Sequence, residues 1–72
     1  DGIFEAVRLQ NGAYFDLGSH LARLSRSADL VGMKLPKTVA EIEAICLELA
    51  RRCGSKDGLL RLFVTRGPGG FS

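Results

Sequence analysis

Hydrophobic and polar residues alternate near the start of the chain and predict a β-hairpin. Residues 3–10 (IFEAVRLQ) carry aromatic and β-branched side chains in a roughly alternating order, which is typical of a strand with two distinct faces. One predicted face carries Phe4, Ala6 and Arg8, and the other carries Ile3, Glu5, Val7 and Leu9. Asn11-Gly12 follows, and this dipeptide is a strong signal for a tight hairpin turn. Residues 13–15 are the predicted return strand.

Apolar residues at helical spacing predict a first helix from about residue 17 to residue 31. Asp16 is the expected N-cap, and Gly32 is the expected end of the helix. The predicted core stripe consists of Leu17, Leu21, Leu24, Ala28 and Val31.

A second helix is predicted by a capping box at Thr38 and Glu41, three residues apart. Gly54 is its expected end. The predicted core face consists of Ile42, Ile45, Cys46, Leu49, Ala50 and Cys53.

Residues 59–65 (LLRLFVT) are apolar except for Arg61 and one threonine, as expected of a strand covered on both faces. The predicted order is therefore β-β-α-α-β. This order indicates the α+β class, as a two-layer sandwich with two helices on one side of a sheet.

Composition narrows the possible functions. The 72 residues are 46% hydrophobic and 25% charged, which is typical of a globular protein. A net charge of +2 is too small to predict nucleic-acid binding, and no apolar run predicts a membrane span.

Two cysteines without zinc-ligand spacing predict core thiols and no metal site. These thiols and the lack of a leader sequence indicate the cytoplasm. We interpret residues 1–72 as one small domain belonging to a longer protein.

Two arginines lie in segments that the pattern predicts to be buried. Arg8 and Arg61 each interrupt an apolar strand, and a buried guanidinium needs an anion or a carboxylate as its partner. A structural ion pair with Glu5 or Glu48 would satisfy this requirement, and so would a bound anionic ligand. The pattern leaves both interpretations open.

Two further places could bind a phosphate. His20 and Arg23 lie one helical turn apart, and arginine forms a two-pronged hydrogen bond with phosphate oxygens. Ordinary structural roles explain both residues as well. Residues 67–70 (GPGG) follow a strand but lack the spacing of known nucleotide-binding loops.

Three segments resemble the class IV (fold-type IV) pyridoxal-phosphate aminotransferases. Residues 1–8 (DGIFEAVR) resemble that family's D-G-x-F-E-x-x-R strand. Residues 20–28 (HLARLSRSA) resemble its H-L-x-R-L-x-x-S-A helix, and residues 60–67 (LRLFVTRG) resemble a strand that ends in V-T-R-G. The segments occur in the family's order and cover nearly the whole chain.

The resemblance implies the small N-terminal domain of a longer enzyme that is usually a homodimer. Such an enzyme transfers an amino group from an amino acid or amine to a 2-oxo acid, with pyridoxal 5'-phosphate held between its small and large domains. The Schiff-base lysine belongs to the large C-terminal domain. Residues 1–72 are therefore expected to contain no catalytic residue and to be inactive alone.

The family's motifs also imply roles for individual residues. Arg23 matches the arginine that binds the cofactor phosphate, whereas Phe4 and Arg8 match positions that face the substrate. Arg61 matches a second substrate-side arginine. Leu59 stands where the branched-chain members have a tyrosine.

Two alternatives remain at this point. A 4-amino-4-deoxychorismate lyase of the same fold also carries a D-G-x-F strand and an R-G-x-G-G tail, which residues 66–70 resemble. Glu5 favours the transferase. A non-catalytic α+β interaction module that binds a protein through its sheet edge would also fit the element order.

Overall fold

The computed structural model describes residues 2–66, and the predicted loop at residues 67–70 lies outside them. The described elements follow the predicted β-β-α-α-β order. They are β1 (Gly2–Gln10), β2 (Ala13–Tyr14), α1 (Leu17–Leu30), α2 (Val39–Arg52) and β3 (Gly58–Thr65). The α+β prediction is confirmed.

The three strands form an antiparallel sheet in the order β2-β1-β3. β1 and β3 pair along almost their whole length, from Gly2↔Thr65 to Leu9↔Gly58. β2 pairs only with the end of β1, at Leu9 and Gln10. In the described part of the chain, the β2-side edge of β1 is therefore open from residue 2 to residue 7.

The hairpin turn has the predicted conformation. Asn11 and Gly12 both have positive φ angles, of 53° and 82°, as expected for the Asn-Gly turns that match strand twist. The Phe15 N–H donates to the Arg8 carbonyl oxygen at 2.8 Å and extends the pairing by one bond.

The start of α1 differs from the prediction in its detail. Asp16 precedes the helix, but it has a left-handed backbone (φ 60°) and its side chain makes no capping bond. Its carboxylate instead accepts a hydrogen bond from the Ser19 hydroxyl at 3.2 Å. The predicted end is confirmed, because Val31 caps the helix and Gly32 follows with φ 72°.

The predicted capping box of α2 is confirmed. The Thr38 hydroxyl accepts from the Glu41 N–H at 3.1 Å, and the Glu41 carboxylate accepts from the Thr38 N–H at 2.9 Å. These two bonds satisfy backbone donors that the first turn of a helix leaves free.

The core lies between α1, α2 and one face of the sheet. The buried hydrophobic residues are Val7, Leu9, Leu17, Leu21, Leu24, Ala28, Met33 and Cys46. Four of the five predicted α1 core positions are among them, whereas Val31 is exposed. The predicted core face of α2 is largely wrong, because only Cys46 is buried and Cys53 is exposed.

The prediction that β3 is covered on both faces is also wrong. Its residues alternate between half-buried and exposed, with Leu60 and Leu62 packed on the core. Phe63 is 65% exposed on the opposite face. Both helices cover the same face, so the other face of the sheet is open in the described part of the chain.

Candidate functional site

The open face of the sheet brings together the three residues predicted to bind substrate. Antiparallel register places Phe63 opposite Phe4 and Arg61 opposite Ala6, and cross-strand partners project from the same face. The rings of Phe4 and Phe63 stack with their centroids 5.8 Å apart. Phe4 and Arg8 flank Ala6 along β1, so both lie diagonally across from Arg61.

Arg8 and Arg61 are exposed, which corrects the expectation that they are buried. The structural ion pairs considered as one interpretation do not form among the described residues. Glu5 projects from the helix-covered face, and Glu48 pairs with two arginines in the last turn of α2. Among the described residues neither Arg8 nor Arg61 has a carboxylate partner, so two guanidinium groups remain able to bind an anion on this face.

A second cluster lies on the other side of the sheet, where α1 crosses β1. The Glu5 carboxylate lies 2.7 Å from His20 Nδ1 and 3.1 Å from Arg23 Nη2. Arg23 Nε also donates to Glu5 Oε2 at 3.4 Å. Arg23 and His20 project together because they are three residues apart on a helix. We call Glu5, His20 and Arg23 the Glu5 cluster.

Hydrogen bonds within the Glu5 cluster favour the ionised form of the Glu5 carboxyl. The hydrogen bonds from Arg23 and then from His20 hold the pKa of the Glu5 carboxyl below its ordinary value. The same carboxylate raises the pKa of Arg23. His20 Nδ1 also lies 3.0 Å from Arg23 Nη2. Because a guanidinium only donates, the shorter Glu5 contact favours Nδ1 as a donor to the carboxylate.

The geometry of Arg23 fits a phosphate ligand. Glu5 occupies the edge of the guanidinium formed by Nε and Nη2. Nη1 makes no hydrogen bond within the described part of the chain, and the side chain is 55% exposed. A guanidinium held along one edge and open along the other can donate to phosphate oxygens.

The Glu5 cluster and the open-face arginines lie on opposite sides of the sheet. At the open edge of β1, Phe4 and Glu5 are consecutive residues, so one strand contributes a side chain to each face. Since β2 does not extend beside residues 2–7, a ligand at this edge can reach both faces. A site spanning this edge is the arrangement that the residues support.

Sequence reasoning did not find the contacts of Glu5, which it considered as an ion-pair partner for Arg8 or Arg61 and as a motif residue that favours the transferase. The available signal was the alternation of β1, which places Glu5 on the same side of the sheet as α1. His20 and Arg23 are one turn apart on that helix. A carboxylate facing this pair could therefore have been expected.

Other features of the described residues add no second site. A cleft of about 220 Å³ lies between the hairpin, α2 and β3, lined by residues such as Leu9, Tyr14 and Leu60. It contains none of the predicted site residues, and its almost wholly apolar lining lacks the convergent polar groups of a ligand site. Across residues 2–66, no cluster of metal-ligating side chains occurs. Neither described helix has the length and apolar character to cross a bilayer.

Comparisons with known proteins agree on one family. A family model described as class IV amino-transferase matches residues 2–72. D-alanine aminotransferase of Bacillus licheniformis is 42% identical over 67 residues, which are 93% of this chain and 24% of that protein. The chloroplastic D-amino-acid transaminase of Arabidopsis thaliana is 34% identical over 70 residues, covering 97% of this chain and 19% of that protein. The chain thus spans about a quarter or less of these relatives' length.

Proposed function

The chain belongs to the class IV aminotransferase family, and from this premise we propose that it is the small N-terminal domain of a pyridoxal-phosphate-dependent transaminase. The observation that carries the proposal is the open sheet face, on which Phe4, Arg8 and Arg61 project together without carboxylate partners among the described residues. Exposed arginines beside stacked aromatic rings suit a substrate that has both a carboxylate and an apolar part.

In this proposal Arg8 and Arg61 bind the carboxylate of the amino acid or 2-oxo acid. The two positions are diagonal neighbours, roughly 7–8 Å apart along the sheet, so their long side chains can converge on one anion. Phe4 contacts the substrate side chain. Because the Bacillus and Arabidopsis relatives are named for D-alanine and D-amino acids, we place a D-amino acid first among the donors and a 2-oxo acid as the acceptor.

Arg23 is the proposed ligand of the cofactor phosphate, held by the Glu5 cluster. When bound, the cofactor supplies an electron sink for the carbon that carries the amino group. The Schiff-base lysine is assigned to a large C-terminal domain. No catalytic residue is therefore proposed within residues 1–72, and this chain alone is expected to be inactive.

Exposed apolar residues support a covering partner for the open face. Phe4, Leu59 and Phe63 are each more than half exposed on this face, and large exposed apolar side chains often mark an interaction surface. We propose that the enzyme's own large domain covers this face and that the complete enzyme is a homodimer. The free thiols of Cys46 and Cys53 support a reducing compartment, the cytoplasm.

The proposal is tested on the full-length enzyme with substrate and cofactor binding measured separately. D-alanine and a 2-oxo acid should yield pyruvate and a new amino acid. Arg61→Met and Arg8→Met should lower kcat/KM while leaving cofactor binding unchanged. Arg26→Met, on the exposed surface of α1, is the matched control.

Two results would overturn the assignment in different ways. Release of more than one equivalent of pyruvate per bound cofactor from 4-amino-4-deoxychorismate, without any acceptor, would indicate a lyase. A full-length protein that takes up no pyridoxal phosphate would indicate an interaction module, and Arg8 and Arg61 would then belong to a protein-binding surface.

A further inference from the structure

The orientation of Arg23 depends on its contact with the Glu5 carboxylate. Its guanidinium lies on the surface of α1, and arginine side chains lose considerable rotamer entropy when they are fixed. Glu5 lies on a paired strand and its side chain is only 13% exposed. The fixed member of this pair is therefore the carboxylate, and the mobile member is the arginine.

We propose that Glu5 is the positioning residue for cofactor binding. It holds the Nε–Nη2 edge of Arg23 so that Nη1 faces the cofactor phosphate, and this inference rests on the proposed role of Arg23. Two bonds along one edge, from Nε at 3.4 Å and from Nη2 at 3.1 Å, restrain the orientation of the guanidinium more than a single bond would. Lysine could not replace this arginine, because it lacks the second edge.

His20 completes the arrangement by contacting the Glu5 carboxylate beside Arg23. Its Nδ1 lies 2.7 Å from Glu5 Oε1, the same oxygen that faces Arg23 Nη2 at 3.1 Å. The bond restrains the carboxylate, which would otherwise rotate about its terminal torsion. His20 thus orients Glu5, and Glu5 orients Arg23.

Orientation and charge make opposite predictions for the loss of Glu5. If Glu5 acted only through its charge, removing it would leave the positive charge of Arg23 uncompensated and would tighten phosphate binding. If Glu5 acts by orientation, removing it frees the guanidinium and weakens phosphate binding. The direction of the change in affinity therefore separates the two roles.

The experiment measures dissociation constants of the full-length apoenzyme for pyridoxal phosphate and for pyridoxal, which lacks the phosphate. Glu5→Ala should weaken binding of pyridoxal phosphate about tenfold, within the range of coupling between contacting side chains. Its affinity for pyridoxal should stay unchanged. Glu5→Gln, which keeps one acceptor oxygen, should recover part of the loss and also serves if Glu5→Ala does not fold.

Three further variants complete a double-mutant cycle and supply its control. Arg23→Ala should weaken binding of pyridoxal phosphate more than Glu5→Ala does, and adding Glu5→Ala to it should have no further effect. Glu48→Ala also removes a carboxylate that pairs with two arginines, but far from Arg23. Glu48→Ala should leave both affinities unchanged.

Three other results would each contradict one part of the proposal. Unchanged or tighter binding of pyridoxal phosphate by Glu5→Ala, with Arg23→Ala weakened, would refute positioning and leave the role of Arg23 intact. Equal weakening for pyridoxal and pyridoxal phosphate would make Glu5 a purely structural residue. An Arg23→Ala variant with unchanged affinity would refute the phosphate site itself.

Discussion

Arg61 of β3 lies directly opposite Ala6 of β1 on the open face of the sheet. The small side chain of Ala6 leaves space between Phe4 and Arg8, which flank it on the same strand. The guanidinium of Arg61 can occupy or border that space because nothing larger than a methyl group faces it across the strand pair. This register makes two predictions about substrate binding.

Replacing Arg61 with methionine should lower kcat/KM of the full-length enzyme by roughly 10- to 100-fold. The reason is the loss of a hydrogen bond to a charged group, worth about 1.5–3 kcal/mol. Cofactor absorbance should not change, because Arg61 and Arg23 lie on opposite faces. Steady-state kinetics with an amino acid donor provide the measurement. A loss of equal size in Arg26→Met would contradict a specific role for Arg61.

Replacing Ala6 with leucine should change substrate preference rather than abolish activity. The leucine side chain fills the space opposite Arg61. The kcat/KM for bulky amino donors should therefore fall about tenfold relative to the kcat/KM for alanine as the donor. Ala6→Ser is the matched control, since it adds only one oxygen atom. The ratio of kcat/KM values for two donors of different size is the measurement. A uniform loss for both donors would indicate that residue 6 does not border the substrate side chain.

Local signals in the sequence predicted the elements but not all of the burial. The Asn-Gly turn and the Thr38–Glu41 capping box are confirmed, because each depends on backbone bonds within a few residues. Asp16 precedes α1 as expected, but its left-handed backbone removes the predicted capping bond. A sequence pattern does not report that backbone angle.

Burial on α2 and β3 could not be predicted, because an apolar pattern does not identify the surface that covers it. Ile45 and Leu49 have the spacing of a core face, yet both are nearly half exposed. Leu59 and Phe63 are likewise apolar and exposed on β3. An apolar pattern indicates that a face becomes buried. The pattern does not indicate whether the residues that bury it belong to this chain or to another domain.

The sequence predicted individual site residues but not their positions relative to one another. Family motifs named Phe4, Arg8, Arg61 and Arg23, and the register of β1 with β3 explains why the first three share a face. Glu5 was missed because its partners come from a helix that begins beyond the hairpin. Spacing places Glu5 on one face of β1 and places His20 and Arg23 on one face of α1, but the topology is needed to bring those two faces together.

Replacing Tyr14 with phenylalanine should lower the free energy of unfolding by about 1 kcal/mol, the usual net contribution of one hydrogen bond. The Tyr14 hydroxyl donates to the Cys46 carbonyl oxygen at 2.6 Å and connects the short strand β2 to α2. Urea denaturation followed by circular dichroism would measure the change. Phe15→Leu, at the neighbouring exposed position, should have a smaller effect, and a larger one would contradict this role of the hydroxyl.

Glu5→Gln should destabilise the protein at neutral pH and should have a decreasing effect in acid. The pKa of the Glu5 carboxyl is lowered from its ordinary value of 4.5, chiefly by the Arg23 hydrogen bond and then by His20. A group with a lowered pKa in the folded state contributes stability above its unfolded pKa. That contribution is lost as the pH falls through the lower pKa of the folded state.

The difference in unfolding free energy between the wild type and Glu5→Gln should therefore be constant above about pH 5 and decline below pH 4.5, the ordinary value. Urea denaturation at a series of pH values measures this difference. Glu48→Gln is the control, because Glu48 also has a lowered pKa, through its bonds to Arg51 and Arg52, but is much more exposed than Glu5. Solvent screens such exposed pairs, so its difference should be smaller and more sensitive to salt. A Glu5→Gln difference that stays unchanged down to pH 3 would show that the Glu5 carboxylate gains no stability from its ion pairs with Arg23 and His20.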